Sequence, residues 1–165
     1  MNNSPIAAIA LSCVLVQSAL AAGPSDDAAL IERGRYLVRV SGCNDCHTPG
    51  YIQQSGDVPE AQWLTGNVVG FQGPWGTTYP SNLRLAAQQL SETQWIDRLR
   101  QPMRPPMPWF NLRAMTDDDL RALYHYIAHL GAAGEPAPAA ADPGVAVTTP
   151  YFDFVPKQAP TVAKR

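Results

Sequence analysis

The sequence of 165 residues is short of charge: Asp, Glu, Lys and Arg make up 16% of it, and neither sign gathers into a run. With a formal charge of -2, the chain has no basic face of the kind that holds nucleic acid. Nucleic acid is therefore not an expected partner. No apolar stretch reaches the roughly 18 uninterrupted residues that cross a bilayer, so membrane association is expected only through a partner or an uncleaved leader. Cysteines number three and histidines three, which leaves a four-ligand zinc site few donors to draw on. At this length one domain with a modest core is expected.

The first 22 residues form a unit of their own. An apolar stretch from Ile6 to Leu20, interrupted by Ser12, Gln17 and Ser18, runs into Ala19-Leu20-Ala21 just before Gly23-Pro24. That is the pattern of a secretory signal and its cleavage site, although no Lys or Arg lies near Met1. Cys13 falls inside the apolar stretch and would leave with it. Cys43 and Cys46 then remain, both within Cys43-Asn44-Asp45-Cys46-His47.

After the leader, Ser25-Asp26-Asp27 reads as a helix start, with acids near the positive end of the helix dipole. Leu30, Gly34, Leu37 and Val38 form one buried stripe, and Gly34 would let another helix approach closely. This helix is expected to end near Ser41-Gly42. Residues 48–80, rich in Gly, Pro and polar residues, read as ordered loop. A loop that long must wrap something, and Trp63, Phe71, Trp75 and Tyr79 would suit a flat apolar cofactor.

Ser91-Glu92-Thr93-Gln94 is a capping box for a short helix with Trp95, Ile96 and Leu99 on one side, stopped by Pro102. Four prolines in residues 102–108 keep that stretch stiff and non-helical. Thr116 caps the last helix, whose stripe is Leu120, Leu123, Tyr124 and Ile127, with Gly131 at its end. The domain is thus expected over residues 25–131. The Pro- and Ala-rich tail, 132–165, reads as extended, with the aromatic island Tyr151-Phe152-Asp153-Phe154 either docked on the body or loose.

In C-x-x-C-H, two thiols three residues apart can add to the vinyl groups of a haem, and the adjacent imidazole then reaches the iron. A thioredoxin-like redox pair would sit at a helix start after a strand. Here the cysteines follow a helix. A disulfide across so short a loop would stabilise little and leave His47 without a role. His125 and His129, four apart and opposite the apolar stripe, read as a solvated face. The second iron ligand must then come from His125, His129, Met103, Met107 or Met115. Met107 is favoured because the flanking prolines hold its backbone extended, whereas Met115 reads as a hydrophobic staple before the Thr116 cap. A thioether ligand raises the reduction potential and closes the iron, as suits electron transfer.

Together these residues resemble the class I cytochrome c family, and more narrowly the small bacterial single-haem domains of membrane-bound dehydrogenase cytochrome subunits. The likeness runs from about Leu30 to Gly131. It is carried by Gly34-Arg35-Tyr36-Leu37, the C-x-x-C-H motif, residues 73–83 (GPWGTTYPSNL), Met107-Pro108-Trp109 and residues 115–120 (MTDDDL). The resemblance implies an all-α fold of three to five short helices around one covalently bound haem c, with the first and last helices crossing near Tyr124 to Tyr126. It implies that His47 and Met107 are the axial ligands and that Tyr79 and Asn82 line the haem edge. Arg84 stands where the family commonly continues Thr-Pro-Asp, and reads either as a propionate partner or as a surface residue. The function implied is periplasmic electron transfer between a dehydrogenase donor and an oxidase or other acceptor, without bond chemistry by the protein. A fixed subunit of a larger complex, and a haem sensor or peroxidase-like protein with an open iron site, are the alternatives.

Overall fold

The computed structural model of the chain describes residues 26–158. The expected leader, Cys13 and the Ser25 cap lie outside them. Helix α1 (Asp26–Val40) turns Leu37 and Val38 fully inward, and Leu30 packs on the same core. Helix α6 (Asp117–His129) starts on Thr116, whose hydroxyl accepts the Asp119 N–H, and buries Leu120, Leu123, Tyr126 and Ile127. The two helices pack against each other. Gly34 sets their separation, because a Cβ there would lie 2.0 Å from the Ala122 carbonyl oxygen and 2.6 Å from Tyr126 Cβ.

Gly42, at φ 70°, turns the chain out of α1 and into the short helix α2 (Cys43–His47), so the cysteines occupy a helical turn of their own. Helix α3 (Leu83–Gln89) is capped by Asn82. Helix α4 (Glu92–Leu99) opens on the capping box of Ser91 and Gln94, and α5 (Trp109–Ala114) precedes α6. Six helices among the described residues exceed the expected three to five. The additional ones are five to seven residues long, too short to display a hydrophobic period.

The all-α expectation is also corrected by a small sheet. Strands β1 (Gly70–Gly73) and β2 (Gly76–Thr78) form an antiparallel hairpin with Phe71 opposite Thr78. Strand β3 (Tyr151–Asp153) adds in parallel to the other edge of β1, giving the order β2-β1-β3. Residues 48–80 are thus not all loop. Glycine bounds both strands of the hairpin, which hides them from local propensity, and the third strand arrives from about 80 positions away. Sequence reading has no access to such a pairing.

The tail is docked. Ala141 exchanges both backbone hydrogen bonds with Thr77 at 2.9 Å, and a Cβ on Gly76 would meet the Ala141 oxygen at 2.1 Å. Phe152 and Phe154 place their rings 5.6 Å from Phe71, and Trp75 faces Phe154 at 6.2 Å. Both phenylalanines of the tail stay about half exposed.

Glu60, in a short 3-10 turn (Glu60–Gln62), ties α1 to α6. Arg35 Nε donates to both of its carboxylate oxygens at 3.0 Å, and the Tyr126 hydroxyl donates at 2.8 Å. The Arg35 hydrogen bond is the main cause that holds the Glu60 carboxyl below its ordinary range.

Gly34→Ala should cost about 3 kcal/mol or more in urea unfolding, since a backbone oxygen must move. Gly131→Ala, with φ 71° but nothing within 4 Å, should cost only about 1 kcal/mol. Because Glu60 has a depressed folded-state pKa, its contribution is present above the unfolded value and lost as pH falls through the folded one. The stability gap between wild type and Glu60→Gln should therefore narrow as pH drops below about 4, measured by unfolding across a pH series.

Candidate functional site

Helix α2 is braced from behind before it presents anything. The Leu64 N–H donates to Thr48 Oγ1 at 2.8 Å, the Thr48 hydroxyl donates to Asn44 Oδ1 at 2.7 Å, and the Gly66 N–H donates to the His47 carbonyl at 2.8 Å. Asn44 and Thr48 are fully buried. The other face of α2 turns Cys43, Cys46 and His47 into a cavity of about 720 Å³, a size that suits a large cofactor. Its remaining wall is mostly apolar, built by Leu99 and Trp95 of α4, Leu112 of α5, Leu123 and Ile127 of α6, and Phe71 of β1.

His47 is 8% exposed, with Nδ1 2.7 Å from the Ser81 carbonyl oxygen. A carbonyl only accepts, so Nδ1 carries the proton and Nε2 keeps its lone pair free. Burial, the larger effect, lowers the imidazole pKa, while the Ser81 carbonyl opposes it. This is a neutral ring oriented for ligation. Burial also pushes the Cys43 thiol up to about 11 and raises Cys46. Neither behaves as the activated thiolate a redox pair requires.

The structure sorts the candidate distal residues. Met103 and Met107 both line the cavity, each partly buried. Met115 instead packs on the core at the end of α5. His125 is paired with Glu92 at 2.8 Å, outside the cavity, and His129 is exposed. Among the described residues no group of three or more His, Cys, Asp or Glu is placed to hold a metal ion.

Tyr79 lines the cavity, with its hydroxyl 2.5 Å from Thr149 Oγ1 in the tail. Asn82 lies between two lining residues, Ser81 and Leu83, and its own side chain is engaged elsewhere. Its Oδ1 caps α3 by accepting the Leu85 N–H, and its Nδ2 donates to the Ala133 and Glu135 carbonyls. Arg84 is neither a surface residue nor a cavity residue. It is 5% exposed and gives its guanidinium to the Ala61 and Gly131 carbonyls, each at 2.6 Å, and to that of Leu130. Of the four aromatics expected to cover a cofactor, Phe71 and Tyr79 line the cavity. Trp63 is in the core, donating to the Val58 carbonyl at 2.8 Å, and Trp75 faces the tail.

Sequence reading missed the Ser81 carbonyl, since a backbone acceptor leaves no mark in residue type. It read Trp95 and Leu99 only as the apolar side of α4, a side that belongs to the core and also lines the cavity.

The family model for cytochrome c matches residues 31–131. This chain belongs to the cytochrome c family. The cytochrome c subunit of the quinone alcohol dehydrogenase of Gluconobacter oxydans (strain 621H) is 29% identical over 133 residues, covering 74% of this chain and 26% of that protein. The corresponding subunit of Komagataeibacter europaeus is 28% identical over 127 residues, covering 70% and 25%. The fructose dehydrogenase cytochrome subunit of Gluconobacter japonicus is 29% identical over 108 residues, covering 59% and 20%. The chain thus spans about a quarter of the length of the alcohol dehydrogenase subunits it matches. No solved structure matches it.

As a cytochrome c, the chain takes covalently bound haem c as its cofactor. The cavity fits that group. It offers two unpaired thiols, a free imidazole nitrogen and thioether sulfurs within one apolar wall. The buried Trp95 indole N–H, also on that wall, has no hydrogen-bond partner among the described residues, an orphan that an acceptor on the cofactor can satisfy.

Arg84 supplies a test of where this cytochrome spends its buried charge. Arg84→Met should destabilise the protein by about 3 kcal/mol, because it strips charged donors from buried carbonyls. Thermal unfolding reads that loss. The reduction potential should stay within experimental scatter of wild type, which a residue paired to the haem would not permit.

Proposed function

We propose that this cytochrome c is an exported, periplasmic one-electron carrier, with haem attached through Cys43 and Cys46 and its iron bound by His47 and Met107. The observation that carries the reading is the His47 hydrogen bond to the Ser81 carbonyl, which frees Nε2 in the same cavity that receives both thiols and Met107. Bound haem supplies a metal centre that gains and loses a single electron.

The rest is the work of the chain. The Ser81 carbonyl holds the imidazole in one tautomer and one orientation. The Met107 thioether, if it holds the iron, would favour the reduced state and disfavour outside ligands. Leucine, isoleucine and aromatic side chains on the wall exclude water, so little solvent has to reorganise when charge changes.

The donor in this reading is a dehydrogenase, and the acceptor an oxidase or another carrier. Support comes from the relatives, which are named as cytochrome subunits of dehydrogenases. The same names favour a second reading, a fixed subunit of such a complex. Co-purification of a dehydrogenase through size exclusion would select it over the free shuttle.

The ligand set is tested on protein secreted by a host that matures c-type haem. The oxidised native chain should show a weak far-red band that Met107→Ala abolishes and Met103→Ala retains. The reverse pattern would assign Met103, and ready binding of carbon monoxide by the reduced native protein would assign an open iron site.

A further inference from the structure

We infer that Thr78 is a positioning residue for the loop that bears Met107, and that the docked C-terminal tail holds Thr78 in that role. The inference rests on the reading of Met107 as an axial ligand. Among the described residues, two hydrogen bonds tie residues 102–106 to the rest of the chain. The Thr78 hydroxyl donates to the Pro105 carbonyl at 2.7 Å, and Arg104 NH2 donates to Asp142 Oδ1 at 3.0 Å. Prolines at 102, 105 and 106 remove the N–H groups with which a loop usually secures itself. What remains must be supplied by neighbours.

Both ties are exposed, and they differ in what they hold. Arg104 and Asp142 are 49% and 75% exposed, and a pair so placed contributes little. Thr78 sits on the cavity wall at the end of β2, and its hydroxyl meets the carbonyl two residues before Met107. Strand β2 is itself clamped on both sides. The hairpin register sets Thr78 opposite Phe71, while Ala141 of the tail exchanges two hydrogen bonds with fully buried Thr77 and closes over Gly76. A mechanical path therefore runs from the tail through Thr77 and Thr78 to Pro105 and the ligand loop. It keeps Met107 in the cavity against competing ligands.

The experiment uses the full-length, haem-loaded, oxidised protein and imidazole as the competing ligand, followed by stopped-flow absorbance. Thr78→Val keeps the shape and removes the donor, and should raise the apparent affinity for imidazole about fivefold, the equivalent of one neutral hydrogen bond. Thr78→Ser keeps the hydroxyl and should return to the wild-type value. Asp142→Asn should stay within about twofold of it. Thr78→Ala, which removes the same donor without adding a methyl, serves if the valine variant does not melt cooperatively. Donor-free variants that bind imidazole as wild type does overturn the inference, and so does an increase that serine fails to reverse, which would trace to packing. Met107→Ala is measured alongside: a retained far-red band there sinks the ligand reading, whereas its loss with unchanged donor-free variants sinks the role of Thr78 alone.

Discussion

At Gly34 the backbone of α1 lies so close to α6 that one added methyl would meet the Ala122 carbonyl oxygen at 2.0 Å. That contact holds together the two helices that frame the cofactor side. At the end of α1, Gly42 turns the chain into the short helix with both cysteines and His47. On the partner helix, Leu123 and Ile127 belong to the shared core and also line the cavity. The Arg35, Glu60 and Tyr126 cluster locks the same pair of helices from the edge.

The site itself depends on small polar devices behind an apolar wall. A single carbonyl, that of Ser81, decides which nitrogen of His47 is free. Buried Thr48 and Asn44 stiffen the motif helix without entering the cavity. Arg84, whose charge would be costly to bury alone, is satisfied by three carbonyls at the end of α6 and the 3-10 turn. Arg84 and the Arg35–Glu60 pair thus close the frame, while the cofactor space is walled chiefly by apolar side chains, with Arg98 and Arg104 also on its lining.

Much of this was legible in residue order. The stripe of Leu30, Gly34, Leu37 and Val38, the Ser91 to Gln94 capping box and the Thr116 cap are local signals, and each marks a helix that forms. The thiol and imidazole spacing of Cys43 to His47 is a demand of covalent chemistry on three neighbouring residues, so it too survives in one dimension. The hairpin, the third strand and the docking of the tail were not legible. Phe71 pairs with Phe152 because the fold brings them together, and neither short segment has a period of its own.

The sequence by itself determined the C-x-x-C-H motif, the capped helices and the glycine at their closest approach, because those depend on neighbours within a turn or two. Only the tertiary structure decided which polar side chains are spent. Asn82 and Arg84 went to backbone carbonyls of the segment after α6 rather than to the cofactor space. Met103 and Met107 came to share one cavity while Met115 went to the core. These outcomes turn on which donor reaches which acceptor across 20 to 50 positions of chain, and a hydrogen bond of that span has no signature until the backbone has closed around it.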